Sequence, residues 1–142
     1  MLISTKGRYA LRVMIDLAEH RGQGFIPMKD IAARQELSLK YLERILPTLT
    51  REKYVEGQHG KGGGYRLMKA PEDCRVGDIL RLTEGTLAPV ACLEEGAAPC
   101  QRSAECRTIG MWKKLDRMIS EYLDGITVAD LAQGDPADEY MI

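Results

Sequence analysis

The chain has 142 residues, of which 44% are hydrophobic and 29% charged, a composition typical of one folded domain and not of a disordered chain. It has no run of about 18 apolar residues and no recognisable signal peptide, so we expect no membrane span and a cytoplasmic location. The net charge of −1 is unevenly distributed. Residues 1–70 carry 13 Lys and Arg against 7 Asp and Glu, whereas residues 71–142 carry 7 against 14. The basic first half suggests contact with a polyanion such as nucleic acid, the alternative being a chance segregation of surface charge.

The first 34 residues predict two helices. The first helix is capped by Thr5 and ends near His20, just before a glycine-containing turn. Its apolar residues recur with helical spacing and form one buried face: Ala10, Val13, Met14 and Leu17. Pro27 starts a second, shorter helix that extends from Met28 to Arg34.

A third helix, capped by Ser38, follows a tight turn at residues 35–37. Pro47 lies within it and removes one backbone donor, which predicts a bend or an early end. The apolar positions repeat the helical spacing: Leu42, Ile45, Leu46 and Leu49. The polar positions fall outside that face: Lys40, Glu43, Arg44, Thr48 and Arg51. Three short helices in this order predict a helix-turn-helix, whose third helix enters the major groove of DNA.

Two strands, Tyr54–Glu56 and Tyr65–Met68, are expected next, joined by the glycine-rich residues 57–64. A hairpin after a helix-turn-helix is the wing of a winged helix. The glycine pattern matches neither a P-loop nor a dinucleotide-binding motif, so we expect no nucleotide site there.

The candidate DNA contacts come from three segments. In the third helix they are Ser38, Lys40, Tyr41 and Arg44, near the N-terminal end. In the wing they are His59 and Lys61 with the backbone of Gly62 and Gly63, which we expect to reach the minor groove. Lys6 and Arg8 at the start of the first helix are expected to hold phosphates.

The second half predicts a fourth helix from about Val76 to Glu84, an irregular loop, and a long final helix from about Arg107 to Leu123. The loop, residues 85–106, contains four glycines and prolines, and a long irregular segment usually indicates function or disorder. The final helix carries an apolar seam with heptad-like spacing: Trp112, Leu115, Ile119, Tyr122 and Ile126, with Met111 and Met118 beside it. We expect homodimerisation through this seam, the alternative being that it packs on its own domain.

The sequence therefore predicts a mainly α protein. We assign a winged helix-turn-helix domain to residues 1–84 and a cysteine-bearing loop to 85–106. A dimerisation helix occupies 107–131, where 127–131 form a last helical turn, and an acidic tail occupies 132–142. No arrangement of side chains predicts catalysis, so an enzyme is not expected.

Three of the four cysteines lie on the loop. Cys92, Cys100 and Cys106 are separated by seven and five residues, without the paired C-x2-C units of zinc ribbons or thioredoxin-type motifs. Thiolates gathered on one irregular loop suit an iron–sulfur cluster, which needs about four ligands. The alternative is a set of unconnected thiols. Cys74 has apolar neighbours and is expected to be a buried small residue.

Four motifs together resemble the IscR/NsrR/CymR group of bacterial winged-helix regulators. They are STKGRYAL at residues 4–11, SLKYLE at 38–43, GGGY at 62–65, and the cysteine loop followed by Trp112. The resemblance covers nearly the whole chain. It implies a homodimer that binds palindromic promoter DNA and represses or activates transcription.

The members of this group differ in what they sense. IscR relatives use a 2Fe-2S cluster to choose among DNA sites and regulate cluster biogenesis genes, which is the function we expect here. NsrR relatives use a cluster to sense nitric oxide. CymR relatives lack the cluster cysteines and report on cysteine supply, with cysteine synthase as a partner.

The chain departs from the IscR and NsrR patterns at the ligand positions. Its first cysteine spacing is longer than in IscR, and Ile109 stands where IscR has a histidine ligand. Arg8, a cation, stands near the N-terminal position at which NsrR offers an acid. The fourth ligand is therefore open; the candidates are Cys74, Glu105, a side chain of the partner subunit, or an exogenous ligand.

Glu43 is an acid on a face expected to meet DNA. An acid there is repelled unless it accepts a hydrogen bond from cytosine or orients a basic neighbour. By resemblance to IscR, Glu43 would discriminate between two classes of DNA site. The alternative is a surface ion pair with Lys40 or Arg44, which would contribute little.

Overall fold

The fold is that of a computed structural model, which describes residues 2–98 and 106–134. The elements in chain order are α1 (Thr5–Glu19), α2 (Met28–Gln35), α3 (Leu39–Arg51), β1 (Val55–Gln58), β2 (Gly64–Leu67), α4 (Val76–Glu84), α5 (Ile109–Asp124) and α6 (Val128–Ala132). Short 3-10 turns occupy Pro71–Asp73 and Ala91–Leu93. The predicted mainly α fold with a single hairpin is confirmed. Within the described ranges, no helix is both long and apolar enough to cross a bilayer.

Helix α1 lies at the centre of the core and contacts most of the other elements. Its predicted apolar face is buried without exception, at 0–2% exposure: Ala10, Val13, Met14 and Leu17. The predicted cap is wrong by one residue. Ser4, not Thr5, is the N-cap, and its side-chain oxygen accepts a hydrogen bond from the Gly7 amide. Both residues carry a hydroxyl, so the sequence alone does not distinguish them.

Helices α2 and α3 form the helix-turn-helix. Glu36 makes the turn between them with a left-handed backbone (φ 54°). Ser38 caps α3 as predicted, accepting from the Tyr41 amide at 3.1 Å. The four predicted apolar residues of α3 are fully buried, and Thr48, expected outside that face, is also buried. Of the bend or early end expected at Pro47, the early end does not occur, because α3 continues to Arg51.

The hairpin is antiparallel, with Val55 paired to Leu67 and Gln58 paired to Gly64. Both strands extend further towards the loop than the sequence predicts, and Tyr54 and Met68 lie outside them. A bridge between Ile26 and Tyr65, with two backbone hydrogen bonds of 2.8 Å, ties β2 to the segment before α2. The wing is therefore attached directly to the helix-turn-helix.

A second, smaller core joins α4, α5 and α6 to the first. Val76, Leu80 and Leu87 are buried there, and Ile119 and Leu123 of α5 pack against them. Backbone hydrogen bonds fix this junction on both sides, from Val76 to the Ile126 carbonyl and from Val128 to the Cys74 carbonyl. The DNA-binding half and the final helices therefore share a continuous apolar contact.

Candidate nucleic-acid interface and cysteine loop

The outward face of α3 is polar and open to solvent. Ser38, Lys40, Glu43 and Arg44 are all exposed, as the sequence predicts, whereas Tyr41 is partly buried. Among the residues that the structure describes, Glu43 forms no ion pair with Lys40 or Arg44. Its carboxylate is therefore available to a ligand.

Tyr41 lies at the edge of this face, against α1. Its ring makes an edge-on contact with the ring of Tyr9, with the centroids 5.1 Å apart. The Arg12 guanidinium lies 5.2 Å from the centre of the Tyr9 ring, and it also donates to the backbone carbonyl of Gln35. Tyr9 and Arg12 were not expected at this interface, although their spacing places both on one side of α1. These contacts fix the orientation of α3 relative to α1.

Asp16, on the buried side of α1, holds α2 in place. Arg34 donates to both of its carboxylate oxygens, at 2.9 and 2.8 Å, and the Gln35 amide donates at 3.0 Å. Burial by itself raises the pKa of Asp16, but the hydrogen bonds and charge of Arg34 outweigh it, so the pKa lies below its ordinary value. The acid is therefore ionised and paired at neutral pH.

The wing owes its shape to glycine. A Cβ on Gly63 would lie 2.1 Å from the Gln58 carbonyl oxygen, and one on Gly64 would lie 2.2 Å from the Ile26 carbonyl oxygen. Gly60 and Gly62 adopt positive φ angles of 92° and 78° in open space. No other residue type fits these positions without strain. His59 and Lys61 are exposed near the tip, where the sequence predicts contacts with DNA.

A cleft of about 610 Å³ lies between the wing and the helix-turn-helix. Its lining includes His59 and two further basic residues, Lys29 of α2 and Arg51 of α3. The last two were not among the DNA contacts expected from the sequence. All three are exposed. The cleft therefore brings Lys29, Arg51 and His59 together where α2, the C-terminal end of α3 and the wing meet.

Lys6 and Arg8 lie in the first turn of α1. Lys6 is partly exposed and Arg8 is exposed. The Arg8 guanidinium donates to the Thr5 hydroxyl at 3.2 Å. Both cations lie at a helix N-terminus, a position that favours phosphate.

The structure describes two of the three loop cysteines. Cys92 is exposed on the 3-10 turn, and Cys106 is partly exposed just before α5, with its sulfur 3.4 Å from the Thr108 hydroxyl. Cys100 and the candidate ligand Glu105 lie outside the described residues. Within the described ranges, no three metal-binding side chains come together.

Cys74 differs from Cys92 and Cys106 in its burial. It is fully buried, and its thiol donates to the Ala70 carbonyl at 3.4 Å. Burial raises its pKa to about 11, so the thiol keeps its proton at neutral pH. The prediction that Cys74 is a buried small residue is confirmed.

Helix α5 has no fully buried residue. Met111, Leu115, Met118 and Tyr122 of the predicted seam are exposed, while Trp112 and Ile119 are partly buried. At the C-terminal end of α5, Arg81 of α4 donates to both carboxylate oxygens of Asp124, at 2.8 and 3.0 Å. The helix is thus fixed to α4 near its C-terminus and presents an apolar stripe to solvent.

Comparison with known proteins places this architecture in a family. The Rrf2 family, described as "Iron-dependent Transcriptional regulator", matches residues 3–134. The chain belongs to the Rrf2 family.

Individual Rrf2 relatives are similar over most of their length. The HTH-type transcriptional regulator IscR of Aliivibrio salmonicida is 37% identical over 131 residues, which are 92% of this chain and 77% of that protein. The solved structure of CymR, the global cysteine regulator of B. subtilis, is 38% identical with a TM-score of 0.76, covering 94% of this chain and 97% of that one. The structure of IscR from T. potens is 36% identical with a TM-score of 0.74, covering 100% and 92%.

These findings confirm the resemblance inferred from the sequence motifs. The winged-helix fold is also confirmed, since the similar structures are Rrf2 regulators. The chain is a DNA-binding transcriptional regulator and not an enzyme, in line with its relatives. The roles of individual residues in DNA binding and ligation stay predictions.

Proposed function

We propose that this Rrf2 regulator acts in the cytoplasm as a homodimer on palindromic promoters, and that an iron–sulfur cluster of 2Fe-2S type controls its DNA binding. Cluster biogenesis genes are the proposed targets. The observation that carries the proposal is that two accessible thiols, Cys92 and Cys106, lie on the segment joining the winged helix to α5. The family description and the IscR relatives support it.

The DNA contacts follow from the exposed basic surface. Helix α3 enters the major groove with Lys40 and Arg44 towards base edges, while Ser38 and the helix N-terminus face the backbone. His59, Lys61 and the glycine backbone of the wing lie over the adjacent minor groove. Lys6 and Arg8 hold phosphates, and each such contact adds about 0.9 to the steepness of the salt dependence.

Glu43 supplies selectivity rather than affinity. It is exposed and forms no ion pair with its basic neighbours on α3, so its charge opposes DNA unless a cytosine amino group donates to it. Glu43→Ala is therefore expected to bind a wider range of sequences. An unchanged sequence preference, measured by selection from a random duplex pool, would contradict this role.

Cys92, Cys100 and Cys106 would hold the cluster, which supplies a redox-sensitive link among three points of one loop. The two described donors fit this role, because Cys92 is exposed and Cys106 is partly exposed. Cys74 is disfavoured as the fourth ligand because its thiol is buried, protonated and hydrogen-bonded. Glu105, a partner-subunit side chain and an exogenous ligand stay open. Ligation by Cys106, three residues before α5, would fix the loop relative to that helix.

Homodimerisation would cover the apolar stripe of α5. The side chains exposed to solvent in the single chain are Met111, Leu115, Met118 and Tyr122. They follow one another at helical spacing, and exposed apolar side chains that form one continuous patch often mark an interface. A two-fold pairing of this helix would place two winged helices on one palindrome.

Anaerobic absorption spectra of the wild type and single Cys→Ala variants test the cluster, together with DNA binding of the same samples. We expect loss of the visible bands and altered promoter affinity in the Cys92, Cys100 and Cys106 variants. Cys74→Ala is the matched control and should keep both. Colourless anaerobic protein, or bands that survive all three loop substitutions, would contradict the proposal. Lys61→Ala, expected to lower affinity and salt dependence, tests the wing.

A cluster-free cysteine-metabolism regulator is the second candidate. It is favoured by the structural likeness to CymR and by Ile109, which replaces the histidine expected of IscR. Under this function the protein is colourless and binds cysteine synthase, and gel filtration of the two proteins together distinguishes the candidates.

A further inference from the structure

A hydrogen-bonded chain joins the first turn of α1 to the last residue of α4. The Glu84 carboxylate oxygen Oε1 accepts from the Ser4 amide at 2.9 Å and from the Ser4 hydroxyl at 2.6 Å. The same hydroxyl oxygen accepts from the Gly7 amide at 3.3 Å, as the N-cap of α1. Ser4 and Glu84 are 80 residues apart in sequence, so this contact orients the cap from outside the helix.

Gly7 makes room for the Glu84 carboxylate. A Cβ at residue 7 would lie 2.4 Å from Glu84 Oε1 and 3.2 Å from a Leu80 methyl carbon. Glycine within a helix costs about 0.5–1 kcal/mol relative to alanine. The close approach of α4 gives this costly residue a physical reason.

The charge of Glu84 is unfavourable for DNA binding. It lies within hydrogen-bonding distance of the turn that carries Lys6 and Arg8, and a carboxylate there weakens the positive potential that attracts phosphates. Simple electrostatics therefore predicts that removing Glu84 strengthens DNA binding. A role in geometry predicts the opposite.

We propose that Glu84 is a positioning residue for DNA contact: through Ser4 and Gly7 it fixes the first turn of α1, so that Lys6 and Arg8 meet the phosphate backbone. The inference rests on the proposed phosphate contacts of those two cations. It does not depend on a cluster.

Glu84 also lies where the cysteine loop begins. Gly85 follows it with a positive φ of 83°. Glu84 lines two clefts beside the loop residues Thr86 and Ala88. One, of about 280 Å³, separates them from Leu2 and Ile3. The other, of about 450 Å³, separates them from Asp116 of α5. Glu84, which contacts the N-cap of α1, is therefore the residue directly before the cysteine loop.

The test compares Glu84→Ala, Glu84→Gln and Glu94→Ala in the full chain, all prepared in the same cluster state. The probe is a 30-base-pair duplex of mixed sequence, which measures phosphate contacts without knowledge of the operator. Binding is measured from 50 to 300 mM salt, and hydrogen exchange of the Gly7 and Arg8 amides is followed in parallel. Urea unfolding establishes that each variant is folded under these conditions.

We expect Glu84→Ala to bind about tenfold more weakly at 0.1 M salt, with a salt slope shallower by about two per protomer and faster exchange at Gly7. Glu84→Gln keeps an acceptor oxygen and loses the charge, so it should bind at least as tightly as the wild type. Glu94→Ala removes the same charge from an exposed loop residue and should not weaken binding.

A Glu84→Ala protein that binds as tightly as the wild type, with the same slope, overturns the inference. Weakening by Glu84→Gln to the same extent also overturns it, because the charge and not the hydrogen bond would then matter. A wild type with no affinity for duplex DNA contradicts the inference and the proposed DNA contacts together. Absence of iron–sulfur absorption contradicts only the cluster part of the proposed function.

Discussion

Replacing Asp16 by alanine tests whether one buried carboxylate holds the helix-turn-helix together. Its side chain is 1% exposed and accepts three hydrogen bonds, two from Arg34 and one from Gln35. The two donor residues belong to α2, directly before the turn into α3. Loss of the acceptor therefore acts on the element that positions the outward face of α3.

The expected loss of unfolding free energy is about 2–3 kcal/mol. One hydrogen bond to a charged group contributes roughly 1.5–3 kcal/mol, and the three bonds here are not additive because they share one carboxylate. The larger cost of an unpaired buried ion, about 3–5 kcal/mol, does not apply in full. The Arg34 side chain is 35% exposed, so water can solvate it after the substitution. For a chain of this length the loss corresponds to a Tm lower by roughly 6–9 °C.

Urea unfolding at several pH values, at one protein concentration, measures the effect. The folded-state pKa of Asp16 is lowered, so its contribution is fully present above the ordinary carboxyl pKa of 3.8 and is lost as the pH falls through the folded value. We expect a constant difference between wild type and variant from pH 5 to 8, and a shrinking one below about pH 4. Arg34→Ala serves as the partner variant in a double-mutant cycle.

A difference below about 0.5 kcal/mol at pH 7 would refute the reasoning, since three hydrogen bonds to a buried carboxylate would then contribute nothing. Additive effects of Asp16→Ala and Arg34→Ala would refute it as well. Additivity would mean that the two side chains do not stabilise α2 through each other.

Three further predictions concern the wing, the α4–α5 contact and the buried thiol. Gly64→Ala should lower the free energy of unfolding by about 1–3 kcal/mol and weaken DNA binding, because its Cβ would lie 2.2 Å from a backbone carbonyl oxygen. Gly110→Ala is the control, because a Cβ there would meet no atom within 4 Å. It should be neutral or stabilising in the same denaturation assay. Arg81→Ala should cost about 1 kcal/mol at pH 7. The difference should shrink as the pH falls below the ordinary carboxyl pKa of 3.8, because Arg81 holds the pKa of Asp124 below that value and protonation removes the interaction. A loss that stays constant as the pH falls below 3.8 until the protein unfolds would contradict this. The Cys74 thiol, with a pKa raised to about 11 by burial, should stay unreactive towards Ellman's reagent at pH 8 until the protein unfolds, whereas the exposed Cys92 reacts in the native state. Rapid native-state reaction of all four thiols would contradict the burial of Cys74.

Hydrophobic periodicity predicted the helices well, because the residues that repeat with helical spacing are those that pack into the core. The buried faces of α1 and α3 match the predicted residues, since spacing at i, i+3 and i+4 places side chains on one side of a helix whatever surrounds it. The cap of α1 could not be predicted in this way. Ser4 and Thr5 are equally suitable in sequence, and Glu84, 80 residues away, provides the second partner that Ser4 uses.

Long-range polar contacts were the part that the sequence did not reveal. In the sequence, nothing distinguishes Asp16 from an acid on the protein surface. Its partners Arg34 and Gln35 lie just before the turn at Glu36 and contact it only in the folded chain. Glu36 itself adopts a left-handed backbone with no glycine to signal it. Such features depend on tertiary packing and leave no local period.

The sequence predicted which elements form the candidate DNA surface, but not all of the residues that belong to it. The exposed face of α3 and the wing followed from a polar side opposite an apolar one and from a glycine-rich hairpin. Lys29 joined them only because the Ile26–Tyr65 bridge brings the wing beside α2. No spacing rule relates Lys29, in the helix before α3, to a loop thirty positions later.

The attachment of α5 at one end makes it a lever. Its contacts with the rest of the chain are concentrated from Ile119 onward, with Arg81 and Asp124 as the pivot. The helix has 16 residues and is therefore about 24 Å long. A tilt of about 5° at the pivot would displace the opposite end, next to Cys106, by about 2 Å. Conversely, a displacement of about 2 Å at the Cys106 end would correspond to a rotation of α5 by about 5° at its contact with α4, the helix that ends in Glu84.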